Sequence, residues 1–371
     1  MPFPPGSAVS PPPTDEAFVT PPAFQVALVG LFSAAILFVT LGATAQALHL
    51  AWGVWFSEVF VFLAVPVVTL QLTGRGALRF TGLDQPPAKG LLSGFVVGVC
   101  NYAAWAVPLM WVAEQAFPKA VVERFSGARL FERQGPIELV VIVLGVSLAA
   151  PVCEEVLYRG LVQAGLATRV GWPRAVVVTG LVFSVMHFDP VGLLARFELG
   201  VLFGLLAWRG GSLWPAIGAH AANNLTSCAG YFLSGGQDSD VPWPVVAALF
   251  VGGNAALAST LVWLRQSDAW TAARPAADEP SEFRPLGRAV LPWLVGGLVA
   301  LGVLAVVDLR GAQVNVIDLI HPVAAPKADA SDGERAAWEE LKALRERARR
   351  GEADVGEYRT MRQLAAEPSS R

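Results

Sequence analysis

Charge is scarce in this chain, and so are the residues that cross-link or bind metal. Only 15% of its 371 residues are Asp, Glu, Lys or Arg, where an ordinary soluble domain has about 25%. The three cysteines, Cys100, Cys153 and Cys228, all lie in apolar runs. An odd count without paired spacing argues against a disulfide framework and a thiolate metal site. Cys153, directly before Glu154, reads as a small apolar filler rather than a nucleophile. The first 23 residues hold eight prolines and no Lys or Arg, so they lack the positive start of a secretory signal. Met1–Pro22 is expected to be a disordered tail. A net charge of −3, with no basic stripe interleaved with aromatics, sets nucleic acid aside as a partner.

Apolar sequence is abundant: 54% of residues are hydrophobic and the mean hydropathy is +0.50. The fold expected is all-α, a polytopic membrane bundle of about eight to nine transmembrane helices, each long enough for about 30 Å of hydrocarbon. Spans are expected near Phe24–Ala45, Val54–Leu72, Leu91–Ala113, Ile137–Tyr158, Arg174–His187, Val191–Trp208, Leu213–Phe232, Pro244–Leu264 and Ala289–Val307. Trp111, Trp172, Trp208, Trp243 and Trp263 fall at span ends, where amphipathic rings favour the headgroup zone.

Loop charge orients the bundle. With the N-terminus inside, inner loops hold Arg75, Arg79, Lys89, Arg159, Arg169, Arg174, Arg209, Arg265, Arg274, Arg284 and Arg288, while outer loops hold Lys119, Arg124, Arg129 and Arg133. The positive-inside rule favours that orientation. Nine spans then leave the C-terminus outside. The charged tail over 310–371 carries apolar residues at Trp338, Leu341 and Leu344, and again at Tyr358, Met361 and Leu364. This three-residue spacing suits one face of each of two short helices; a solvated charged tail is the alternative.

Against this background three polar patterns stand out: Glu154-Glu155-x-x-x-Arg159, Phe183-x-x-x-His187 and His220-x-x-x-Asn224. A charge at the bilayer centre costs roughly 2.5–3.5 kcal/mol on insertion scales, so such groups need a shared reason to be there. On a helix, Glu155 and Arg159 share a face and can pair, while Glu154 points about 100° away. Glu155 is therefore expected to be charged and structural. Glu154, unpaired and desolvated, is the candidate general base.

A lone histidine on an apolar helix is most simply a satisfied core residue. Here His187 and His220 are two of only four, with His49 and His321 near span ends or in loops. His220 and Asn224 share a face flanked by Asn223, and clustered donors can stabilise an oxyanion; helix–helix hydrogen bonding is the alternative for the asparagine. Glu198, beside Arg196, reads as a local ion pair or a cavity-lining acid, and Glu58, opening the second span, as interfacial.

Taken in order, Glu154-Glu155-Val-Leu-Tyr-Arg159, Phe183-Ser-Val-Met-His187, Phe197-Glu-Leu-Gly200-Val-Leu-Phe-Gly204 and Ser212-Leu-Trp-Pro-Ala-Ile-Gly-Ala-His220-Ala-Ala-Asn-Asn224 resemble the core of the CPBP intramembrane protease family. That family includes CAAX prenyl endopeptidases and bacteriocin-processing and immunity-type (ABI) membrane proteins. The resemblance covers about a quarter of the chain, and the three polar motifs together are far more specific than any one. It implies an intramembrane endopeptidase with catalytic residues Glu154, Glu155, His187, His220 and Asn224. Glu154 and His187 would activate water, His220 and Asn224 would hold the oxyanion, and Arg159 would fix Glu155. Gly200 and Gly204, spaced small-xxx-small, would allow close helix packing.

The organisation then reads as a tail (1–22), N-terminal transmembrane helices (23–136), a catalytic core (137–232), C-terminal transmembrane helices (233–309) and the charged tail (310–371). The resemblance leans toward a metal-free mechanism and no cofactor. A zinc site would draw on His187, His220 and Glu154, but no His-Glu-x-x-His pair presets two ligands. The expected partners are the bilayer and a membrane-anchored protein or a leader or sorting peptide. Composition rich in Ala, Arg and Gly points to a bacterial inner membrane. The rival class is a non-proteolytic scaffold or transport-associated protein that keeps the fold. No second copy of the motifs marks the repeated halves common in transporters.

Overall fold

The computed structural model describes residues 21–132, 134–235, 241–266, 285–307, 309–323, 325–326 and 330–366. Of the expected disordered tail Met1–Pro22, all but the last two residues lie outside the described residues. Among the described residues the regular structure is entirely helical, with no strand. Apolar runs meant for lipid have this solution open to them, because helices satisfy their backbone groups internally.

The principal helices are α1 (Ala23–Leu48), α2 (Leu50–Leu72), α3 (Ala88–Ala116), α4 (Pro136–Val170), α5 (Trp172–Val185), α6 (Leu193–Arg209), α7 (Trp214–Leu233), α8 (Trp243–Gln266), α9 (Leu286–Val307), α10 (Leu309–Ile320), α11 (Asp332–Arg350) and α12 (Val355–Ala366). Six of them, α1 to α4, α8 and α9, are long and apolar enough to cross a membrane. The expected fifth, sixth and seventh spans do not qualify by that measure. Helix α5 has 14 residues and α6 has 17, about 21 and 26 Å of rise against about 30 Å of hydrocarbon. Helix α7 has 20 residues but is diluted by His220, Asn223 and Asn224.

Helix α4 is the centre of the bundle. From Cys153 to Leu166 every residue is buried, whichever way it points, so this stretch meets protein on all sides. Helices α1, α2, α5, α6 and α7 pack around it, with Val156, Leu157, Leu161 and Val162 in the main core. Trp172 and Trp208 stack at 6.1 Å where α5 begins and α6 ends.

Helix α7 is seated by close approach to α3. A Cβ on Gly94 would lie 2.0 Å from the Pro215 carbonyl oxygen, one on Gly98 2.3 Å from that of Ala219, and one on Gly218 2.2 Å from that of Leu91. Glycine is required at each because backbone occupies the space a side chain would need.

The C-terminal helices form their own small core from Val314, Ile317, Leu341, Leu344, Ala348 and Tyr358. Ser331 and Glu334 form a reciprocal capping box that starts α11, and Gly351 ends it with φ 77°. Asp318 on α10 accepts from Arg345 Nε at 2.7 Å, from the Tyr358 hydroxyl and from Arg362. In α12 the packed face is therefore Tyr358 with Arg362, whose Nη1 donates to the Tyr358 oxygen at 3.0 Å. Met361 and Leu364, expected on that face, are exposed.

Two predictions follow from these contacts. Gly98→Val should force α7 off α3 and destabilise the detergent-solubilised protein by roughly 1–3 kcal/mol or more, read as a lower unfolding temperature. Burial and the Asp318 acceptor push the Tyr358 phenol up to about 12, from an ordinary value of about 10. Because the folded value is raised, its stabilising contribution is complete below pH about 10 and is lost as pH climbs through about 12. A spectroscopic tyrosinate titration should show this late ionisation, and Asp318→Ala should bring it earlier.

Candidate active site

Helix α4 does not run as a uniform α-helix. It passes through π-helical turns at Gly145–Ala149 and Val156–Gln163, either side of the segment with Glu154 and Glu155. Such turns free carbonyls and re-aim side chains, and they gather at functional sites. Pro151 accounts for one freed carbonyl. The Ala150 N–H already bonds to the Gly145 oxygen, and in that register the next donor, to Val146, would be residue 151, which has no N–H. The Asn224 Nδ2 donates to the Val146 oxygen instead, at 2.8 Å. Asn224 thus closes a gap in α4 from across the bundle, while Asn223 donates to its Oδ1 at 3.2 Å.

Glu155 and Arg159 pair inside the bundle. Arg159 Nη1 donates to Glu155 Oε1 at 2.6 Å, with both side chains fully buried. Arg159 Nη2 donates to the Gly200 carbonyl of α6 at 2.9 Å. Its guanidinium carbon lies 4.5 Å from the Phe183 ring centre, 5.3 Å from that of Phe203 and 5.9 Å from that of Tyr158. Aromatic faces therefore replace water around the cation.

One turn further along α4, Gln163 Nε2 donates to the Gly204 carbonyl at 2.9 Å. Arg159 and Gln163, four residues apart, thus grip two α6 carbonyls four residues apart. Gly204 makes room for Gln163, since a Cβ there would lie 2.5 Å from its amide oxygen, whereas Gly200 makes room for α5, since a Cβ there would lie 2.7 Å from the Gly180 Cα.

The same Glu155 oxygen meets His220 Nδ1 at 3.0 Å. A carboxylate only accepts, so the proton is on Nδ1. This leaves His220 Nε2 facing Glu154, 4.0 Å from its Oε2. His220 is buried, stacked on Phe203 with centroids 4.8 Å apart and edge-on to Phe183 at 5.8 Å. Glu154 Oε2 is buried and has no hydrogen-bond partner among the described residues. The two adjacent glutamates have opposite surroundings, one engaged by a cation and an imidazole, the other unpartnered.

His187 lies just beyond the end of α5, in a turn where Phe188 takes a left-handed φ of 52°, a strained conformation for a bulky residue. Asp189 stabilises that turn: its Oδ1 accepts from the N–H groups of Val191 at 2.9 Å and Gly192 at 3.2 Å, and its Oδ2 pairs with Arg196. His187 Nδ1 donates to the Phe183 carbonyl at 2.8 Å, which leaves Nε2 as an acceptor. Its ring packs edge-on to Phe183 at 4.8 Å. Phe183 thus touches both imidazoles, and no hydrogen bond or ion pair joins His187 to Glu154.

Several sequence expectations need correcting. Arg159 is no loop residue, because α4 continues to Val170 rather than ending at Tyr158. Glu58 is not interfacial. Helix α2 begins at Leu50, not Val54, which sets Glu58 about 12 Å along the helix, buried at 5% exposure. Glu198 forms no local pair with Arg196: it accepts from Asn101 Nδ2 at 3.0 Å, while Arg196 turns to Asp189. Zinc is not the favoured reading, and the residues named for it in case a metal is present, His187, His220 and Glu154, are not gathered together here. Among the described residues no three His, Cys, Asp or Glu side chains gather as a ligand set.

Some participants were not expected from sequence. Gln163 lies outside the motifs, with no signal beyond its polarity in an apolar run. Asp189 had one, since Asp-Pro-x-Gly is a turn signature.

Residues 136–226 match the family model described as Rce1-like type II CAAX prenyl endopeptidase. This match is consistent with the CPBP family. The match runs from the start of α4 into α7 and contains all seven named residues of the three polar motifs. No curated protein and no solved structure matches the chain.

The buried pair can be tested through stability. Glu155→Gln leaves the buried Arg159 cation uncompensated, at a cost of about 3–5 kcal/mol, and Arg159→Lys keeps the charge but loses its geometry. Lysine cannot make both guanidinium contacts or stack on the rings. Thermal unfolding in detergent should show large losses for both, and near wild-type values would contradict the arrangement.

Proposed function

We propose that this protein is an intramembrane endopeptidase that hydrolyses a peptide bond at or near the membrane in a membrane-anchored protein or a leader or sorting peptide. One observation carries the reading: within the segment matching a protease family, Glu155 holds His220 so that its far nitrogen faces the unpartnered oxygen of Glu154.

Glu154 is the general base. A water placed against its Oε2 gives up a proton as its oxygen attacks the scissile carbonyl. His220, held by Glu155 and protonated at Nε2, donates to the oxygen that becomes negative, with the second amide hydrogen of Asn224 as a further donor. The charges then balance, with Glu154 and Glu155 negative and Arg159 and His220 positive, which suits a site surrounded by apolar helices. His187 keeps a free Nε2 beyond Phe183, an acceptor for the water or a substrate N–H. No cofactor takes part in this reading, and the cell membrane of a bacterium is its proposed setting.

The test compares protein termini in membranes and secreted fractions from cells carrying the wild type or Glu154→Gln. Termini produced by the wild type should be missing or reduced by about 10²–10⁴ in rate with the variant, while its unfolding temperature stays close to wild type. Identical termini for Glu154→Gln, His187→Ala and His220→Ala would overturn the protease reading and favour a scaffold.

A further inference from the structure

The motifs do not account for Glu58. It lies in the Ser57–Leu63 turn of α2, which packs against the Ala150–Glu155 segment of α4. Its Oε2 is buried without a hydrogen-bond partner among the described residues, and so is the Oε2 of Glu154. The two carboxyls are electrostatic neighbours, with Cys153 and Tyr158 within the field of both.

The other charged groups near this pair on α4 are Glu155 and, one turn on, Arg159, which pair with each other; Arg196 of α6 and His220 of α7 also act on Glu154. Helix α1, also packed on this turn, contains no Asp, Glu, Lys, Arg, His, Cys or Tyr. Among the described residues no ion pair joins Glu58 to a cation. A structural carboxyl in such a place would be expected to have a donor or a cation. Two neighbouring buried carboxyls can instead satisfy each other, provided they hold one proton between them.

We propose that Glu58 is a positioning residue for Glu154: it holds a proton, donates it as a hydrogen bond to the Glu154 carboxylate, and so sets the orientation and charge of the base. The proposal rests on the reading of Glu154 as that base. During turnover the pair goes from one proton to two as the water oxygen bonds to the carbonyl carbon. It returns to one when the C–N bond breaks and the departing nitrogen takes a proton. The other water hydrogen stays on the new carboxyl group.

The experiment uses the full chain in detergent or liposomes with Glu58→Gln and Glu58→Leu. Glutamine keeps a donor toward Glu154 but cannot ionise; leucine keeps bulk and loses the donor. On a membrane-anchored reporter carrying a bond found by the terminus comparison, Glu58→Leu should lose roughly ten- to a hundredfold in kcat with KM little changed. Glu58→Gln should retain most activity but lose the alkaline limb of the pH profile that comes from giving up the shared proton. Wild-type rates and profiles in both variants would overturn the proposal.

A second measurement needs no activity. A hydrophobic carbodiimide reacts with protonated carboxyls inside a membrane protein, and peptide mass spectrometry locates the adduct. At neutral pH the wild type should be labelled at Glu58 or Glu154, and Glu58→Gln should leave Glu154 ionised and unlabelled. No label on the wild type overturns the shared proton even if Glu154→Gln abolishes cleavage. Labelling without any cleavage by the wild type overturns the protease reading and leaves the carboxyl pair standing.

Discussion

A guanidinium with no access to solvent organises the centre of this bundle. Arg159 is buried on α4, and the cost of dehydrating it is offset by partners on its own helix and on two others: the Glu155 carboxylate of α4, the Gly200 carbonyl and Phe203 ring of α6, and the Phe183 ring of α5. Through Glu155 the same cation reaches α7, since the oxygen that receives Arg159 also meets His220 Nδ1. The orientation of His220 toward Glu154 therefore depends on a charge pair one turn away, as in sites where a carboxylate fixes the tautomer of a working histidine. The glycines of α6 serve the same packing, because a side chain at Gly200 would meet the Gly180 backbone of α5 and one at Gly204 would meet Gln163.

The other constraint is a vacancy in the backbone. Pro151 withholds a donor from α4, and the carbonyl left over at Val146 is met by Asn224. An unmatched carbonyl in an apolar bundle costs more than most packing errors, so the proline and the asparagine, far apart in sequence, are coupled. Asn224 consequently has a structural duty whatever it does for an oxyanion, and loss of activity on changing it would mix the two.

Local spacing made part of this site legible. Glu155 and Arg159 are four residues apart, and no other information is needed to place them on one face. His187 and Phe183 have the same spacing, although the imidazole uses it to bond the Phe183 backbone. What the sequence could not give was every pairing across helices: His220 with Glu155, Arg159 with Gly200, Asn224 with Val146 and Glu198 with Asn101. These depend on rotation and depth, which hydropathy does not encode. The errors have the same origin. Ending the fourth span at Tyr158 turned Arg159 into a loop charge, and starting the second at Val54 put Glu58 at a membrane surface. The count of nine spans is roughly consistent with the six qualifying helices; of the other three, two are shorter than a crossing and His220, Asn223 and Asn224 dilute the third.

Adjacent glutamates show why enclosure matters more than burial alone. Glu154 and Glu155 are both buried and lie on one turn of one helix, yet they face different surroundings. Glu155 looks toward α6 and α7, where a cation and an imidazole claim one oxygen. Glu154 makes no hydrogen bond at its Oε2 among the described residues; His220 Nε2 lies 4.0 Å away, Arg159 and Arg196 act on it from farther off, and the carboxyl of Glu58 on α2 is a further electrostatic neighbour. A carboxylate held by a fixed cation is poor at exchanging protons, because each exchange must break a strong pair in a medium of low dielectric. One beside a titratable imidazole and a second carboxyl can take a proton without isolating a charge. The division of labour between the two residues therefore lies in what α2, α6 and α7 bring to each side of α4.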